Sequence, residues 1–292
     1  MEAQKPLDKE EFLNNIKEDL EVFKKYEKLE KIGEGAFGIV YKAKNKETQE
    51  LVALKIIPLI ELETFNVKEE TEKEMKFMEI FNHNKNSVKL HDKYEQANTI
   101  FIVLDLCDGD LSQYLEKSEK GFTVYEIKVI FNQLNNILSE IRSKNMLHND
   151  MKIENLLIKF RNNSNEFDVK LADYGLAKLI SSTKDLSKNE WGFTPFTNED
   201  KENVYIVEKI DLLILGIDMY RMLFKGTCQS FEEYKKNVEK LVEDKDLKDL
   251  LKKMIVEDPH KRIEWDEYFN HPFFKIDEID FSKIKNIVKK LN

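Results

Sequence analysis

The chain has 292 residues, and its 41% hydrophobic and 11% aromatic content is typical of a globular protein and too apolar for a disordered one. Charged residues make up 35%, and a net charge of −9 argues against a general nucleic-acid-binding protein. No apolar run is long enough to span a membrane, so no membrane insertion is expected. Cys107 and Cys228 lack a metal-ligand spacing, which favours free thiols in the cytoplasm, with the nucleus as the alternative.

Residues 1–25 are predicted to form an amphipathic helical extension. Phe12, Ile16, Leu20 and Phe23 recur at helical spacing among charged residues. We expect this apolar stripe to pack on the domain that follows, and the alternative is a helix that binds a partner or a second copy.

Residues 26–106 are predicted to form a small β-rich lobe. Runs of apolar and β-branched residues separated by turn residues indicate strands. Five strands are predicted, at Tyr26–Ile32, Gly38–Lys44, Leu51–Ile57, Val88–Tyr94 and Ile100–Leu106. One helix is predicted at about Lys68–Asn82.

Residues 107–275 are predicted to form a larger, mainly helical lobe, which makes the fold class α+β. Helices are expected at Leu111–Ser118, Val124–Asn145, Ile206–Lys225, Phe231–Glu243, Leu247–Val256 and Trp265–Asn270. Short strands are expected at Leu156–Lys159 and Val169–Leu171. The tail, residues 276–292, is predicted to add a last helix over Ile276–Leu291.

Gly33, Gly35 and Gly38 form a G-x-G-x-x-G string ahead of Val40. Dinucleotide-binding folds use the same string, but there it opens a helix. Here the following residues are strand-like, so the glycines are predicted to cap a hairpin. A backbone without Cβ atoms can approach phosphate oxygens closely.

Three further motifs follow in a fixed order. Lys55 closes the apolar run of residues 52–54, and residues 148–155 place Asp150, Lys152 and Asn155 in one loop. Asp173 then opens an Asp-Tyr-Gly sequence. Acids and a lysine in such loops suit proton handling and the binding of hard cations.

In this order and spacing, the four motifs resemble the signature set of eukaryotic-type serine/threonine protein kinases. The resemblance extends from about Tyr26 to Phe274. It implies a bilobal kinase fold and the transfer of the γ-phosphoryl group of ATP to Ser or Thr hydroxyls of protein substrates. The subfamily resemblance is faint and points to Unc-51-like or calcium/calmodulin-dependent kinases. No oligomeric state is predicted.

The resemblance also implies the roles of individual residues. Asp150 would orient the substrate hydroxyl, Lys152 would stabilise the phosphoryl group, and Asn155 and Asp173 would bind Mg²⁺, with Mn²⁺ as an alternative. Lys55 would pair with Glu74, although Glu70 and Glu72 lie close by. The residues expected to bind ATP are Ile32, Gly33, Gly35, Gly38, Val40, Ala53, Lys55, Leu104, Asp105, Cys107, Asp110 and Leu157. Positions of the family's internal regulatory stack are matched by Met78, Leu90, His148 and Tyr174, with Asp211 as its anchor.

Two departures from the family pattern stand out. Asn149 replaces the Arg that often binds a phosphorylated activation loop, so this chain is of the type lacking the Arg-Asp pair, and that control is not expected. The segment Trp191–Glu199 stands where an Ala-Pro-Glu motif is usual; Glu199 is expected to pair with Arg262, and Thr194 to contact Asp150.

The alternatives to a protein kinase are a pseudokinase, which would act as an ATP-binding or scaffolding module, and a small-molecule kinase. The complete set of motif residues favours activity over the pseudokinase. Asp110 and Glu154 are acidic where substrates run in some family members. They suggest a basic residue N-terminal to the target hydroxyl.

Overall fold

The computed structural model describes residues 16, 19–35, 38–59, 61–62, 65–161, 164–179 and 209–289. The chain forms two compact units, Met1–His83 with Val88–Cys107 and Asn84–Ser87 with Asp108–Asn292. The first is built on a β-sheet and the second is mainly helical, which confirms the predicted α+β kinase-like architecture. Within the described ranges no helix is long and apolar enough to cross a membrane.

The small unit is built on a five-stranded antiparallel sheet. Its N-terminal helix, strands and second helix are α1 (Glu21–Lys25), β1 (Tyr26–Glu34), β2 (Ile39–Asn45), β3 (Leu51–Pro58), β4 (Glu61–Leu62), β5 (Phe65–Asn66), α2 (Val67–Phe81), β6 (Leu90–Gln96) and β7 (Thr99–Asp105). The sheet order is β1-β2-β3-β7-β6, and β4 and β5 form a separate hairpin. β3 is central and reads as an almost continuous apolar run because most of its side chains are buried.

The N-terminal segment packs on the sheet. Val22 and Tyr26 are buried in a core shared with β2, β3 and β7, and Ile16 and Leu20 lie against it. Phe23 meets Phe101 edge to face with ring centroids 5.7 Å apart. The described part of the predicted extension is helical only over α1, and residues 1–15, 17 and 18 lie outside the described residues.

Helix α2 is fixed at both ends. Asn66 caps its N-terminus by accepting a hydrogen bond from the Glu69 amide, 3.2 Å away, and two acidic residues in the first turn suit the helix dipole. Beyond its last turn, the Asn82 side chain exchanges hydrogen bonds of 2.8 and 3.0 Å with the Leu90 backbone. Met75 and Met78 are among its buried residues.

The large unit combines helices with short strands. In chain order these are β8 (Gly109–Asp110), α3 (Leu111–Lys117), α4 (Val124–Ser143), β9 (Met146–Leu147), β10 (Leu156–Phe160), β11 (Phe167–Leu171), β12 (Lys178–Leu179), α5 (Ile210–Phe224), α6 (Phe231–Leu241), α7 (Lys245–Met254) and α8 (Trp265–Phe269). The sheets are β11-β10-β8 and β12-β9. α4 starts with a capping box between Thr123 and Glu126.

The helix predicted for the tail is wrong over the described residues. The tail contains one 3₁₀ turn, Phe281–Lys283, with Ile284 and Ile287 buried. The Glu126 carboxylate accepts hydrogen bonds of 2.7 Å from the amides of Lys285 and Asn286. An α-helix would direct these amides to carbonyls four residues earlier, so the buried acid competes with helix formation.

Candidate active site

The glycine motif contains a tight turn, next to two glycines at which an added Cβ atom would make only ordinary van der Waals contact. The Gly35 amide donates to the Gly38 carbonyl at 2.8 Å. A Cβ atom on Gly38 would lie 2.3 Å from the Ile56 carbonyl oxygen, so only glycine fits there. At Gly33 and Gly35 the nearest atom would be 3.9 Å away. This open backbone fits the approach of phosphate oxygens.

Four of the residues expected to bind ATP share one face of the sheet in the small unit. Ala53 is paired with Leu104 across β3 and β7, and Val40 is paired with Lys55 across β2 and β3. Cross-strand partners point to the same side of a sheet. Ile32, near the end of β1, is 47% exposed, so apolar surface is available there.

Lys55 and Glu74 form a bidentate ion pair. The Lys55 Nζ atom lies 2.8 and 2.9 Å from the two carboxylate oxygens of Glu74, and the side chains are 23% and 11% exposed. Glu70 contacts Lys73 instead, at 2.8 Å. The pair joins α2 to β3 and fixes the position of the Lys55 ammonium group.

The small unit ends in a segment held from the side by β6. The Asp105 carboxylate contacts His91 Nε2 at 3.2 Å and accepts a hydrogen bond from the Lys89 amide at 3.2 Å. Cys107 is half-buried and is the last residue of the unit. The side chain of Asp105 therefore positions the strand end.

Asp110 and Leu157 lie in the large unit. They are paired across β8 and β10, and Leu157 is half-buried. Asp110 caps α3, accepting hydrogen bonds from the Gln113 amide at 2.9 Å and from its side chain at 2.6 Å. The Asp110 carboxylate therefore already has partners in α3.

The predicted site residues of the loop 148–155 converge on Asp150. Its Oδ2 atom accepts hydrogen bonds from Lys152 Nζ at 2.6 Å and Asn155 Nδ2 at 2.9 Å, and Asn155 also binds its backbone carbonyl at 2.8 Å. Among the described residues nothing donates to Oδ1. One carboxylate oxygen is therefore fixed by two donors while the other can accept a hydrogen bond from a hydroxyl.

Asn155 and Asp173 offer oxygen atoms that suit a hard cation. The Asn155 carbonyl accepts from the Ala172 amide at 2.9 Å, which brings Asp173 next to Asn155. Because the Asn155 amide group donates to Asp150, its side-chain oxygen points elsewhere, and no described residue donates to it. Asp173 is exposed, with a φ angle of 62°. An amide and a carboxylate fit Mg²⁺ that also binds phosphates and water. No cluster of three or more His, Cys, Asp or Glu ligands occurs in the described part of the chain.

Buried polar groups position the loop of residues 148–155. The amides of His148 and Asn149 donate to Asp211, and Asn149 has a left-handed φ of 62°, which asparagine tolerates. Burial raises the pKa of Asp211 to about 6, although these amides oppose the shift. Burial likewise lowers the pKa of His148, whose ring contacts the Ala172 carbonyl at 3.1 Å.

The extra hydroxyl of Tyr174 has a buried partner. It lies 2.8 Å from the Ser87 hydroxyl, and the Tyr174 ring meets His148 edge to face at 5.2 Å. Ser87 belongs to the segment Asn84–Ser87 that joins the large unit. The sequence did not reveal this partner, because a single serine 87 residues before Tyr174 forms no recognisable motif with it.

Glu154 also has a partner that the sequence analysis missed. Its carboxylate lies 2.8 Å from Arg221 Nη1 of α5. The preference for a basic substrate residue, expected from Asp110 and Glu154, stays a prediction, although both carboxylates already have partners within the chain. A signal existed in the sequence, since Arg221 interrupts the apolar stretch of residues 212–224.

The activation-segment predictions lie outside the described residues. This applies to Trp191–Glu199, including Thr194 and the pairing of Glu199 with Arg262.

Comparison with known proteins assigns the family. The family model of the protein kinase domain matches residues 26–274 of this chain. Cyclin-dependent kinase 9 of Danio rerio is 30% identical over 328 residues, covering 92% of this chain and 86% of that protein. Cyclin-dependent kinase 9-B of Xenopus laevis is 28% identical over 326 residues, covering 92% and 85%. The chain belongs to the protein kinase family and is a serine/threonine protein kinase.

Proposed function

We propose that this kinase transfers the γ-phosphoryl group of ATP to Ser and Thr hydroxyls of protein substrates, with Asp150 as the residue that orients the hydroxyl. The observation that carries the proposal is the arrangement at Asp150, where Lys152 and Asn155 fix one carboxylate oxygen and leave the other for the substrate. The hydroxyl oxygen would attack the γ-phosphorus while its proton passes to Asp150, and the bond from the γ-phosphorus to the bridging oxygen would break to release ADP.

ATP would be bound by residues of the small unit, together with a metal ion held by the large unit. The open backbone at Gly33 and Gly35 would receive phosphate oxygens, and Lys55, held by Glu74, would bind them as a cation. Asn155 and Asp173 would hold Mg²⁺, with Mn²⁺ as an alternative. Bound metal would neutralise negative charge on the transferring phosphoryl group.

We further propose that loop phosphorylation does not switch the enzyme through the usual arginine. Asn149 cannot provide the bidentate fork with which arginine binds phosphate. The backbone amide of Asn149 donates a hydrogen bond to Asp211, so this buried acid sets the position of the loop. Basal activity would therefore not require a phosphate on the activation segment.

We also propose that this chain is active without a cyclin. The relatives are named as cyclin-dependent kinases. Here, α2 is held by contacts of the chain itself, including Lys55 with Glu74 and Asn82 with Leu90. Activity of the purified chain alone is the expected result.

The subfamily of this kinase and its cytoplasmic location remain predictions, and imaging of the tagged chain tests the location.

The competing function is a pseudokinase, and one assay separates the two. The purified wild type and Asp173→Ala are compared for phosphate transfer to a generic protein substrate. The proposal predicts transfer by the wild type and a loss of at least about a hundredfold in the variant, which lacks a metal ligand. Asp277→Ala, at an exposed position in the tail, serves as the control. Equal residual transfer by wild type and Asp173→Ala would support a scaffold.

A further inference from the structure

A cavity of about 590 Å³ adjoins the catalytic loop within the large unit. Asp150, Lys152 and Glu154 line one side of it, and α5 contributes Asp218 and Arg221. Its volume is in the range of sites that enclose ligands. Residues of an extended peptide advance about 3.3 Å each, so a side chain one or two positions from a hydroxyl at Asp150 reaches the cavity.

The charged side chains that line this cavity form ion pairs with one another, so their charges cancel. Asp150 is paired with Lys152 at 2.6 Å, and Glu154 is paired with Arg221 at 2.8 Å. Glu154 and Arg221 are 41% and 33% exposed, so the pair is accessible to a substrate yet already formed. The positive charge of Arg221, which lies 2.8 Å from one Glu154 oxygen, would repel an incoming arginine at this carboxylate.

The third acid of the cavity is neutral near pH 7. Burial and the nearby charge of Glu154 raise the pKa of Asp218 to about 8, against the opposing effects of Arg221 and the Ile153 amide. Its Oδ2 atom is buried, and among the described residues it has no hydrogen-bond partner. Asp218 therefore adds a neutral polar group, and the apolar side chains of Ile214 and Ile217 complete this part of the lining.

We propose that Arg221 sets the substrate preference of this kinase by occupying Glu154, so that the cavity accepts an uncharged side chain and basic residues beside the acceptor gain nothing. This inference rests on the proposed protein-kinase function and specifies its substrate class. It reverses the preference that the acidic residues alone suggested, because Asp110 caps α3 and Glu154 is paired.

The test exchanges Arg221 for an uncharged residue of similar length. Wild type, Arg221→Gln and the double variant Arg221→Gln/Glu154→Gln are assayed on a peptide library that varies each position around one Ser. The wild type is expected to show less than about a twofold preference for Arg or Lys at any position. Arg221→Gln frees Glu154 and is expected to gain about a five- to tenfold preference for Arg at one position, since hydrogen bonds between charged groups are strong. The double variant is expected to lose that gain.

Binding is measured in parallel so that the inference does not depend on turnover. Peptides with Ala in place of the acceptor Ser and either Arg or Gln at the selected position are titrated by fluorescence anisotropy. Arg221→Gln should favour the Arg peptide by the same factor, and the wild type should not. Arg161→Gln is the matched control, because Arg161 forms ion pairs with Asp168 and Glu166 and does not line the cavity. Thermal melts confirm that each variant is folded.

Two results would overturn the inference. One is a wild-type preference for basic residues, and the other is the absence of any gain in Arg221→Gln. The proposed function fails separately: peptide binding with the expected selectivity but without phosphate transfer by any variant would refute catalysis and still support the role of Arg221.

Discussion

At the scale of single residues, the side chains proposed to act in phosphate transfer are held by specific polar partners. Lys55 is bound by both oxygens of Glu74, and one oxygen of Asp150 is bound by Lys152 and Asn155. Each arrangement removes rotamer freedom before a substrate arrives, which lowers the entropic cost of the reactive geometry. Substitution of a partner should therefore impair function without direct contact with the substrate.

Glu74→Gln should lower kcat/KM for ATP by about tenfold to a hundredfold. The variant keeps the shape of the side chain but leaves Lys55 without its counter-ion, and the pair is shielded enough from water for the loss to matter. Steady-state kinetics at varied ATP concentration measure the effect. Glu70→Gln, on the same helix, removes only a contact with Lys73 and should change kcat/KM less than twofold. Equal effects of the two substitutions would contradict the assignment of Glu74.

Asp218→Asn should stabilise the protein increasingly between pH 5 and pH 8. The raised pKa of about 8 means that folding retains a proton which the unfolded chain, with a pKa near 3.8, releases. Wild-type stability from this group is complete below the unfolded pKa and is lost, by about 1.4 kcal/mol per pH unit, as pH rises towards 8. The asparagine variant lacks this loss. Melting temperatures of both proteins should diverge up to pH 8 and stay apart above it; a difference that does not vary with pH would refute the assignment.

At the scale of elements, the tail is held on the large unit by the start of α4. The Glu126 carboxylate closes the capping box and also accepts hydrogen bonds from the Lys285 and Asn286 amides and the Asn286 side chain. Burial alone would raise the pKa of Glu126, but these hydrogen bonds outweigh it and hold the pKa below its usual value. One acid thus stabilises a helix terminus and a segment about 160 residues away in sequence.

Glu126→Gln should loosen the tail and destabilise the large unit. An amide oxygen without charge accepts these hydrogen bonds more weakly, and its NH₂ group faces amide donors, so a loss of about 1.5–3 kcal/mol is expected. Chemical denaturation measures the loss, and hydrogen exchange should quicken at residues 284–287. Glu232→Gln, an exposed acid in the first turn of α6, is the control and should cost only a few tenths of a kcal/mol. Unchanged exchange in the tail of Glu126→Gln would show that the acid does not hold it.

At the scale of the whole molecule, the sequence predicted the architecture because its apolar patterns are strong. The strands of the small unit and α4 or α5 follow from alternation or helical spacing over many residues. Lys55, Asp150 and Asp173 could be proposed because their motifs have a fixed order. Contacts set by tertiary structure could not be predicted. Glu154 and Arg221, which form an ion pair, are 67 residues apart in sequence. The predicted helix is absent from the described tail because a buried acid of α4 binds the backbone amides there.

The isolated chain should be an active serine/threonine kinase without a cyclin or a loop phosphate. The most direct measurement is transfer of labelled γ-phosphate from ATP to a mixed protein substrate by the purified, phosphatase-treated chain, followed by phosphoamino-acid analysis. We predict label on Ser and Thr for the wild type and at least about a hundredfold less for Asp173→Ala. No transfer by the wild type would refute activity of the isolated chain, and equal transfer by both proteins would refute the role of Asp173.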